Sequence, residues 1–583
     1  MAEQSAPIIQ FVDFSCGFGA DQPPVLKHIT LDIYPGEFVL LVGASGSGTS
    51  TFGMCLNGVI PYVNGWIEGT LTVGGIATSR SRVAELATRV GMVFQDVDGS
   101  LTNLYVRDEV MFGPENLKLP RDEVIRRADA ALAYVGAEAL RDRFVFELSG
   151  GQKQKVVLAA VLAMRPDIFF FDEPTANLDP ASSSDVFRFM ARLKAERHTV
   201  IITEYKMDEL AVLADRMIVL GDGEIVFDGT PRDLLRESGR TLQDRWGLAI
   251  PQASELELLL RQRHGLAASP FPIHASEAAA AYRGYRFDPA AVAPAGAHQP
   301  APGDVLIRAE HVSYRYGDGT IALRDVSVDV RAGEVLAIVG PNGSGKTTLS
   351  KHVVGLLHAS SGAVTVLGRP TATTPMRELT RSIGYVFQYP EHQFVKDCVE
   401  DEISFSLQVL GVPEAEIRER VREVLGIFGL EGLERRHPYS LSGGEKRRLS
   451  VATMVIIRPP ILLLDEPTFG QDRRNTERMM RAVFEATAAE AHGQRSTIIL
   501  VTHDMKLVAQ YATRVVAMHR GEVAFDGAPG ALFEQPELLR KVNLEDPALY
   551  QIVRALRRDG HALPALIDSA EQFVAAVRSD AAR

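Results

Sequence analysis

Lys346 and Thr347 follow three closely spaced glycines, Gly340, Gly343 and Gly345, and the apolar run Val335-Leu336-Ala337-Ile338-Val339 leads into them. An amine and a hydroxyl in succession at the start of a helix suit the phosphates of a nucleotide. The whole stretch, Gly340-Pro341-Asn342-Gly343-Ser344-Gly345-Lys346-Thr347-Thr348, has the G-x-x-x-x-G-K-[ST] spacing in a strand-to-helix setting. Its glycines let successive main-chain N–H groups converge on an anion at a helix N-terminus. Lys346 then carries charge to the β- and γ-phosphates, and the Thr347 hydroxyl is placed to ligate Mg2+. A chance glycine-rich turn would have neither the lysine nor the strand.

The unit occurs twice. Val39-Leu40-Leu41-Val42 feeds Gly43-Ala44-Ser45-Gly46-Ser47-Gly48-Thr49-Ser50-Thr51, which keeps the glycines and the metal hydroxyl (Ser50) but has Thr49 where the lysine belongs. Gly43 matches Gly340, and Gln95, Leu148 and Asp172 match Gln388, Leu441 and Asp465 in the same order, so two copies of one module are fused in tandem. In each, a short apolar strand ends in two acids: Ile168-Phe169-Phe170-Phe171 before Asp172 and Glu173, and Ile461-Leu462-Leu463-Leu464 before Asp465 and Glu466. Apolar spacing predicts amphipathic helices over Arg121–Val135 and Glu414–Phe428. Continuous apolar strands alternating with helices predict an α/β fold whose parallel sheet is buried on both faces.

The tails after each core also repeat. Leu248-Ala249-Ile250-Pro251 with a helix over Leu256–Arg263 resembles Leu544-Glu545-Asp546-Pro547 with a helix over Leu549–Arg558. The chain therefore divides into a first core at 1–240, a helical extension at 241–286, an Ala/Pro-rich linker at 287–304, a second core at 305–530 and a helical extension at 531–583.

A length of 583 residues accommodates two to four domains, and 46% apolar with 23% charged residues is ordinary for a globular protein. A formal charge of −12 disfavours nucleic acid as a partner. Cys16, Cys55 and Cys398 have no metal-binding spacing and read as reduced thiols. The start, Met1-Ala2-Glu3-Gln4-Ser5, lacks the basic flank and apolar core of a secretory signal. No apolar run nears the ~18–20 residues of a spanning helix, so any membrane role is expected to be peripheral.

Leu148-Ser149-Gly150-Gly151-Gln152 and Leu441-Ser442-Gly443-Gly444-Glu445 each put a serine and two glycines at a helix start, a second phosphate cradle aided by the helix dipole. A phosphate loop followed by this pentapeptide, in order and twice, resembles the ATP-binding cassette (ABC) ATPase family over nearly the whole chain. The resemblance implies two tandem P-loop ATPase domains, each a parallel-sheet core with antiparallel β and helical subdomains, hydrolysing ATP with Mg2+. It implies that Asp465 holds Mg2+ through water and that Glu466 orients the attacking water. Gln388 would sense the metal and couple the site to a membrane partner. His503, in Val501-Thr502-His503-Asp504, would contact the γ-phosphate, and Asp472 would communicate between sites. Tyr316 would stack on adenine, with Phe18 its counterpart. Ser50, Gln95, Asp172 and Glu173 fill the corresponding places in copy one.

Copy one departs twice from that pattern. Thr49 replaces the lysine, and aligning Ala214-Asp215-Arg216-Met217 with Ala512-Thr513-Arg514-Val515 sets Tyr205 opposite His503. Members of the resembled family pair their domains head to tail. Lys346, Glu466 and His503 would then face Ser149-Gly150-Gly151-Gln152 and Asp179, every part intact. Thr49, Glu173 and Tyr205 would face Ser442-Gly443-Gly444-Glu445, an impaired site that holds nucleotide on its main-chain nest.

Gln388-Tyr389-Pro390-Glu391-His392-Gln393-Phe394 and Glu400-Asp401-Glu402-Ile403-Ser404-Phe405 look like the ATPases of energy-coupling-factor (ECF) importers, and Gln95-Asp96-Val97-Asp98 with Glu109–Leu117 is a further resemblance. That implies a transmembrane scaffold subunit, a small membrane subunit binding a vitamin or metal ion, and a place on the cytoplasmic face of the membrane. A conventional ABC transporter ATPase shares all this chemistry. A soluble tandem-cassette translation factor is the other alternative, and the linker composition and net acidity disfavour it.

Overall fold

In a computed structural model of the chain, the described residues are 6–19, 22–44, 46–176, 178–292, 303–468, 473–488, 496–564, 567 and 569–578. They form two compact units, Met1–Ala281 and Tyr282–Arg583.

In the first unit the phosphate-loop strand Phe38–Gly43 is buried along its whole length. Thr199–Thr203 and Arg216–Gly221 flank it in parallel, Ile168–Asp172 and Val90–Val93 continue the parallel order beyond Thr199–Thr203, and Glu224–Gly229 closes the opposite edge antiparallel. Strand alternation divides its side chains between two cores. Phe38, Leu40 and Val42 meet Phe189, Met190 and Leu210 on the helix-covered face. Val39 and Leu41 meet Phe11, Phe14 and Phe52 on the other. That second core is roofed by an antiparallel sheet in the order Leu26–Ile33, Ile9–Phe18, Gly65–Val73, Ile76–Ala77. Burial on both faces is why these strands read as unbroken apolar runs.

Three helices, Val106–Asn116, Arg121–Val135 and Gly150–Met164, close a separate core around Val106, Val110, Ala128, Leu132, Val156 and Ala159. The second unit repeats each layer. Its six-stranded sheet runs Ile383–Val386, Ile461–Asp465, Thr497–Val501, Val335–Val339, Arg514–His519, Glu522–Gly527. Its helical layer is Val399–Val409, Glu414–Phe428 and Gly443–Val455. The α/β architecture with two cassettes expected from the sequence is what the chain adopts.

The repeated tails are helical: Pro231–Asp244, Gln252–His264 and Ala275–Ala281 in the first unit, and Pro529–Phe533, Pro536–Lys541, Ala548–Arg558 and Ala570–Ala576 in the second. The stretch 282–292, which the sequence reading divides between extension and linker, packs on the second tail. The Asp288 N–H donates to Ala576 O at 2.7 Å, Phe287 bridges Val577, and Arg283 pairs with Asp559 at 2.7 Å. The middle of the linker, 293–302, lies outside the described residues. No helix among the described residues is long and apolar enough to cross a membrane.

Candidate nucleotide sites

Each phosphate loop turns from its strand into a helix, Thr49–Leu56 or Lys346–Val353, through an N-cap glycine in the left-handed region, Gly48 at φ 102° and Gly345 at φ 106°. A Cβ at Gly345 would lie 2.6 Å from Ala322 O, and one at Gly48 would lie 2.7 Å from Leu26 Cδ2, so both conformation and space demand glycine. Inside the loops, the Ser47 and Ser344 hydroxyls are buried with no hydrogen-bond partner. A buried hydroxyl left without an acceptor inside a glycine-rich loop at a helix N-terminus fits an oxyanion. In the second unit Lys346 is also buried, and its Nζ donates to Gly340 O at 2.7 Å and Pro341 O at 3.0 Å. The amine thus lies folded over the loop that would receive phosphates.

The second unit brings the acids, amine and imidazole into one cluster. Asp465, at the end of its strand, accepts a hydrogen bond from Tyr385 OH at 3.1 Å on Oδ2, while Oδ1 is buried without a partner. Burial, reinforced by Glu466, pushes Asp465 up to about 6, with Tyr385, Thr347 and Lys346 opposing. A desolvated carboxylate with a free oxygen beside a threonine hydroxyl is a donor set that suits Mg2+. Glu466 follows in a strained turn at φ 48°, fixed by its N–H to Val501 O at 2.7 Å. Its Oε1 lies 2.9 Å from His503 Nδ1, and its Oε2 accepts from Thr502 OH at 3.4 Å. Burial alone would raise the Glu466 carboxyl. The His503 ring and the Lys346 amine outweigh it and hold Glu466 below its ordinary range.

The first unit keeps the backbone and loses the charges. Glu173 has φ 44° and donates its N–H to Thr203 O at 3.0 Å, but its Oε2 accepts from Gln95 Nε2 at 2.8 Å. Asp172 Oδ1 accepts from Thr203 OH at 2.7 Å. Burial, then Glu204 and Asp172, push Glu173 up to about 8, and only the Tyr205 hydrogen bond opposes them. Glu204 is a residue the sequence reading missed. It occupies the place of Thr502, because Asp172 pairs with Thr203 as Asp465 pairs with Val501. The acid is buried and satisfied locally, accepting from Thr175 OH at 2.6 Å and from the Tyr205 N–H at 3.0 Å. The alignment that set Tyr205 opposite His503 already carried this signal one residue earlier.

Ser149 and Ser442 cap the helices Gly150–Met164 and Gly443–Val455, each in a reciprocal capping box with Gln152 or Glu445. Three side chains, Arg447, Gln393 and Lys446, tie the Gln388 loop to the second of these helices, and Tyr439 ties it to the turn just before that helix. Arg447 donates to Phe387 O at 2.8 Å and to Gln388 O. Gln393 Nε2 donates to Ser450 O and to Thr453 Oγ1, both at 2.8 Å. Lys446 pairs with Glu391 at 3.1 Å, and Tyr439 OH donates to Glu391 O at 3.1 Å. Among the described residues of the first unit only the lysine tie is matched, by Lys153 with Asp98. Gln154 stands in the place of Arg447, buried, with both side-chain polar atoms unpartnered. Neither Arg447 nor the bonds of Gln393 were foreseen from the sequence.

Tyr316 is half-buried, its hydroxyl 3.1 Å from Thr348 Oγ1 and its ring edge-on to Tyr314, and Phe18 packs beside the core under the antiparallel sheet. Ser45 and Asp472 lie outside the described residues.

Residues 26–176 and 323–469 match the family described as ABC transporter. A protein of Methanosarcina mazei, named as an ABC transporter ATP-binding protein, is 36% identical over 579 residues, covering 98% of this chain and 97% of its own. A Bacillus subtilis protein named for HMP/thiamine import, the ATP-binding protein YkoD, is 35% identical over 92% of this chain and 94% of its own. A solved structure titled cbiO1 from Clostridium perfringens, part of the ABC transporter complex cbiONQ, is 35% identical over 43% of this chain and 99% of its own, with a TM-score of 0.37.

Proposed function

We propose a role that starts from family membership: the chain belongs to the ABC transporter family, as an ATP-binding protein with two cassettes, and it is an ATPase. Within that family our reading is the motor of an ECF-type importer with one hydrolytic and one nucleotide-holding site. One observation carries the asymmetry. Lys346, Arg447 and His503 surround Asp465 and Glu466 in the second unit, whereas Thr49, Gln154 and Tyr205 stand in those places in the first, where Glu204 adds a further acid.

Hydrolysis of ATP needs a carboxylate beside the attacking water and positive charge beside the phosphate oxygens, where negative charge accumulates in the transition state. Glu466, held ionised by His503 and Lys346, meets the first need, and Lys346 leaves its loop carbonyls to meet the second. His503 holds Glu466 in place and lies next to the γ-phosphate position. Tyr316 supports the adenine. Thr347, Asp465 and Gln388 would hold Mg2+, which when bound neutralises phosphate charge. Ser50, Asp172 and Gln95 are the corresponding set in the first unit. The head-to-tail pairing that the family resemblance implies would set Lys346, Glu466 and His503 against Ser149, Gly150, Gly151 and Gln152, and Thr49, Glu173 and Tyr205 against Ser442, Gly443, Gly444 and Glu445. The second arrangement keeps its main-chain cradles and so retains nucleotide.

The import reading is supported by the Gln388–Phe394 and Glu400–Phe405 stretches and by the likeness to a protein named for HMP/thiamine import. The motor would sit on the cytoplasmic face of the membrane, gripping a transmembrane scaffold subunit that works with a small substrate-binding subunit. Steady-state ATP turnover of Lys346→Ala and Thr49→Ala tests the asymmetry. The first variant should lose on the order of 100-fold or more, by loss of a transition-state charge, and the second should stay near the parent. Comparable residual turnover in the two would sink it. Purification from its native membrane should bring down multispanning proteins, and their absence would count against the import role.

A further inference from the structure

We infer that Cys16 and Cys55 are a dithiol that hydrogen peroxide converts to a disulfide, a redox staple across the first unit's nucleotide-binding region. The chain has three cysteines, and folding brings two of them together from far apart in sequence: Cys16 Sγ lies 3.5 Å from Cys55 Sγ, and both residues are buried. Cys16 is on the strand Ile9–Phe18 that ends at the aromatic Phe18, and Cys55 is in the last turn of Thr49–Leu56, the helix that springs from the phosphate loop.

The second unit shows that the fold does not require thiols here. Cys16 pairs across its sheet with Leu26 as Tyr314 pairs with Leu323, and Cys55 follows the cap glycine Gly48 at the same spacing as His352 follows Gly345. Tyr314 and His352 make an edge-to-face ring contact at 4.7 Å in that place. Two rings hold the same strand to the same helix without any possible cross-link. The two sulfurs of the first unit need to close by only about 1.5 Å to reach a disulfide bond length.

The pair also divides the labour of oxidation. The hydrogen bond from Cys55 holds the Cys16 thiol below its ordinary range, while burial pushes the Cys55 thiol well up. Of the two, Cys16 is the better nucleophile. Its thiolate attacks one peroxide oxygen, the O–O bond breaks, and the departing hydroxide takes up a proton to leave as water. The resulting Cys16 sulfenic acid is then attacked by Cys55 sulfur, the S–S bond forms, and the sulfenic oxygen leaves as a second water. Two thiols give up two electrons and two protons, and one peroxide accepts them. The new bond would tie the Phe18 strand to the phosphate-loop helix and close the chain between residues 16 and 55.

The test is peptide mapping of the full chain after hydrogen peroxide, with alkylation in denaturant and no reductant. The expected product is a Cys16–Cys55 linked peptide pair, lighter by two hydrogen atoms than its parts and separated by dithiothreitol, with Cys398 outside the link. The first unit's melting transition should rise by roughly 5–10 °C on oxidation, and Cys16→Ser should abolish the rise. If both thiols still alkylate after exposure that oxidises Cys398, or if each acquires its own sulfinic acid, the inference is wrong. Should Cys16→Ser not fold, the mapping of the unaltered chain decides.

Discussion

Replacing Arg447 by glutamine asks whether the Gln388 loop must be clamped for the second unit to turn over ATP. The guanidinium is almost wholly buried and makes no ion pair at contact distance among the described residues, and its hydrogen bonds go to the main-chain carbonyls of Phe387 and Gln388. Burial lowers it to about 10, so it stays charged at neutral pH, with Glu391, Asp465 and Glu466 stabilising the charge. A hydrogen bond from a charged donor is worth ~1.5–3 kcal/mol, and part of that returns when the buried charge disappears. A net loss of ~2–3 kcal/mol at the loop shifts it roughly 30- to 150-fold toward released conformations. Gln154 shows that glutamine at this place reaches no partner. In Arg447→Gln, kcat should fall at least ~10-fold with KM within ~2-fold, because phosphate binding by Lys346 and the loop is untouched. Arg447→Lys should retain part of the rate. Steady-state kinetics beside a thermal melt separates positioning from stability. An unchanged kcat, or a loss that tracks the folded fraction alone, would refute the clamp.

Three further outcomes follow from the first unit. Glu173 at about 8, against an ordinary 4.5, means that the folded unit keeps a proton the unfolded chain releases. The stability from that proton is complete below pH 4.5 and is lost as pH rises through about 8. Glu173→Gln should flatten this slope and raise the melting temperature at pH 8.5 by roughly 2–5 °C; an unchanged slope in pH-dependent melts would contradict it. Gln154→Met removes two unpaired buried polar atoms and should be neutral or stabilising by up to ~2 kcal/mol in urea titration, whereas a clear destabilisation would reveal a partner for Gln154. Combining Thr49→Lys, Glu204→Thr and Tyr205→His on a Lys346→Ala background should restore several-fold turnover over Lys346→Ala alone, and no gain would mean that other residues silence the site.

What could be read from the sequence was whatever local physics dictates. The helix Arg121–Val135 begins after Pro120 and ends at Gly136 in the left-handed region, and Glu414–Phe428 lies likewise between Pro413 and Gly429, so both spans were readable to the residue. The apolar runs before Asp172 and Asp465 needed only burial on both faces to be strands. Lys346 was placed by the phosphate-loop spacing and Asp465, Glu466 and His503 by the family resemblance, and the fold brings the four into one cluster because three strand ends and a helix start converge there. Side chains whose meaning depends on a distant partner were not. Arg447 sits in a helix whose sequence does not show that the Gln388 loop folds over it. Glu204 is an acid that only Thr175 and neighbouring N–H groups make tolerable inside the core. The meeting of Cys16 and Cys55 requires the antiparallel sheet to close over the phosphate-loop helix.

The differences between the two units around the candidate sites run one way in charge. Where the second unit has Lys346, Arg447, Thr502 and His503, Thr49 and Gln154 each remove a positive charge, Glu204 adds a carboxylate and Tyr205 removes an imidazole. Decay without selection would erode the costly backbone features equally, yet those are intact. Gly48 keeps its left-handed cap, Glu173 keeps the positive φ of Glu466, and Ser149 keeps the capping box. Gly48 keeps the turn from which a phosphate loop presents main-chain N–H groups, while the Glu173 turn, bonded to Thr203 O, and the Ser149 cap keep the shape of a strand end and a helix start. A site that preserves backbone geometry while reversing the charge around it is what the proposed nucleotide-holding role requires, and the turnover of Lys346→Ala against Thr49→Ala decides whether the first unit plays it.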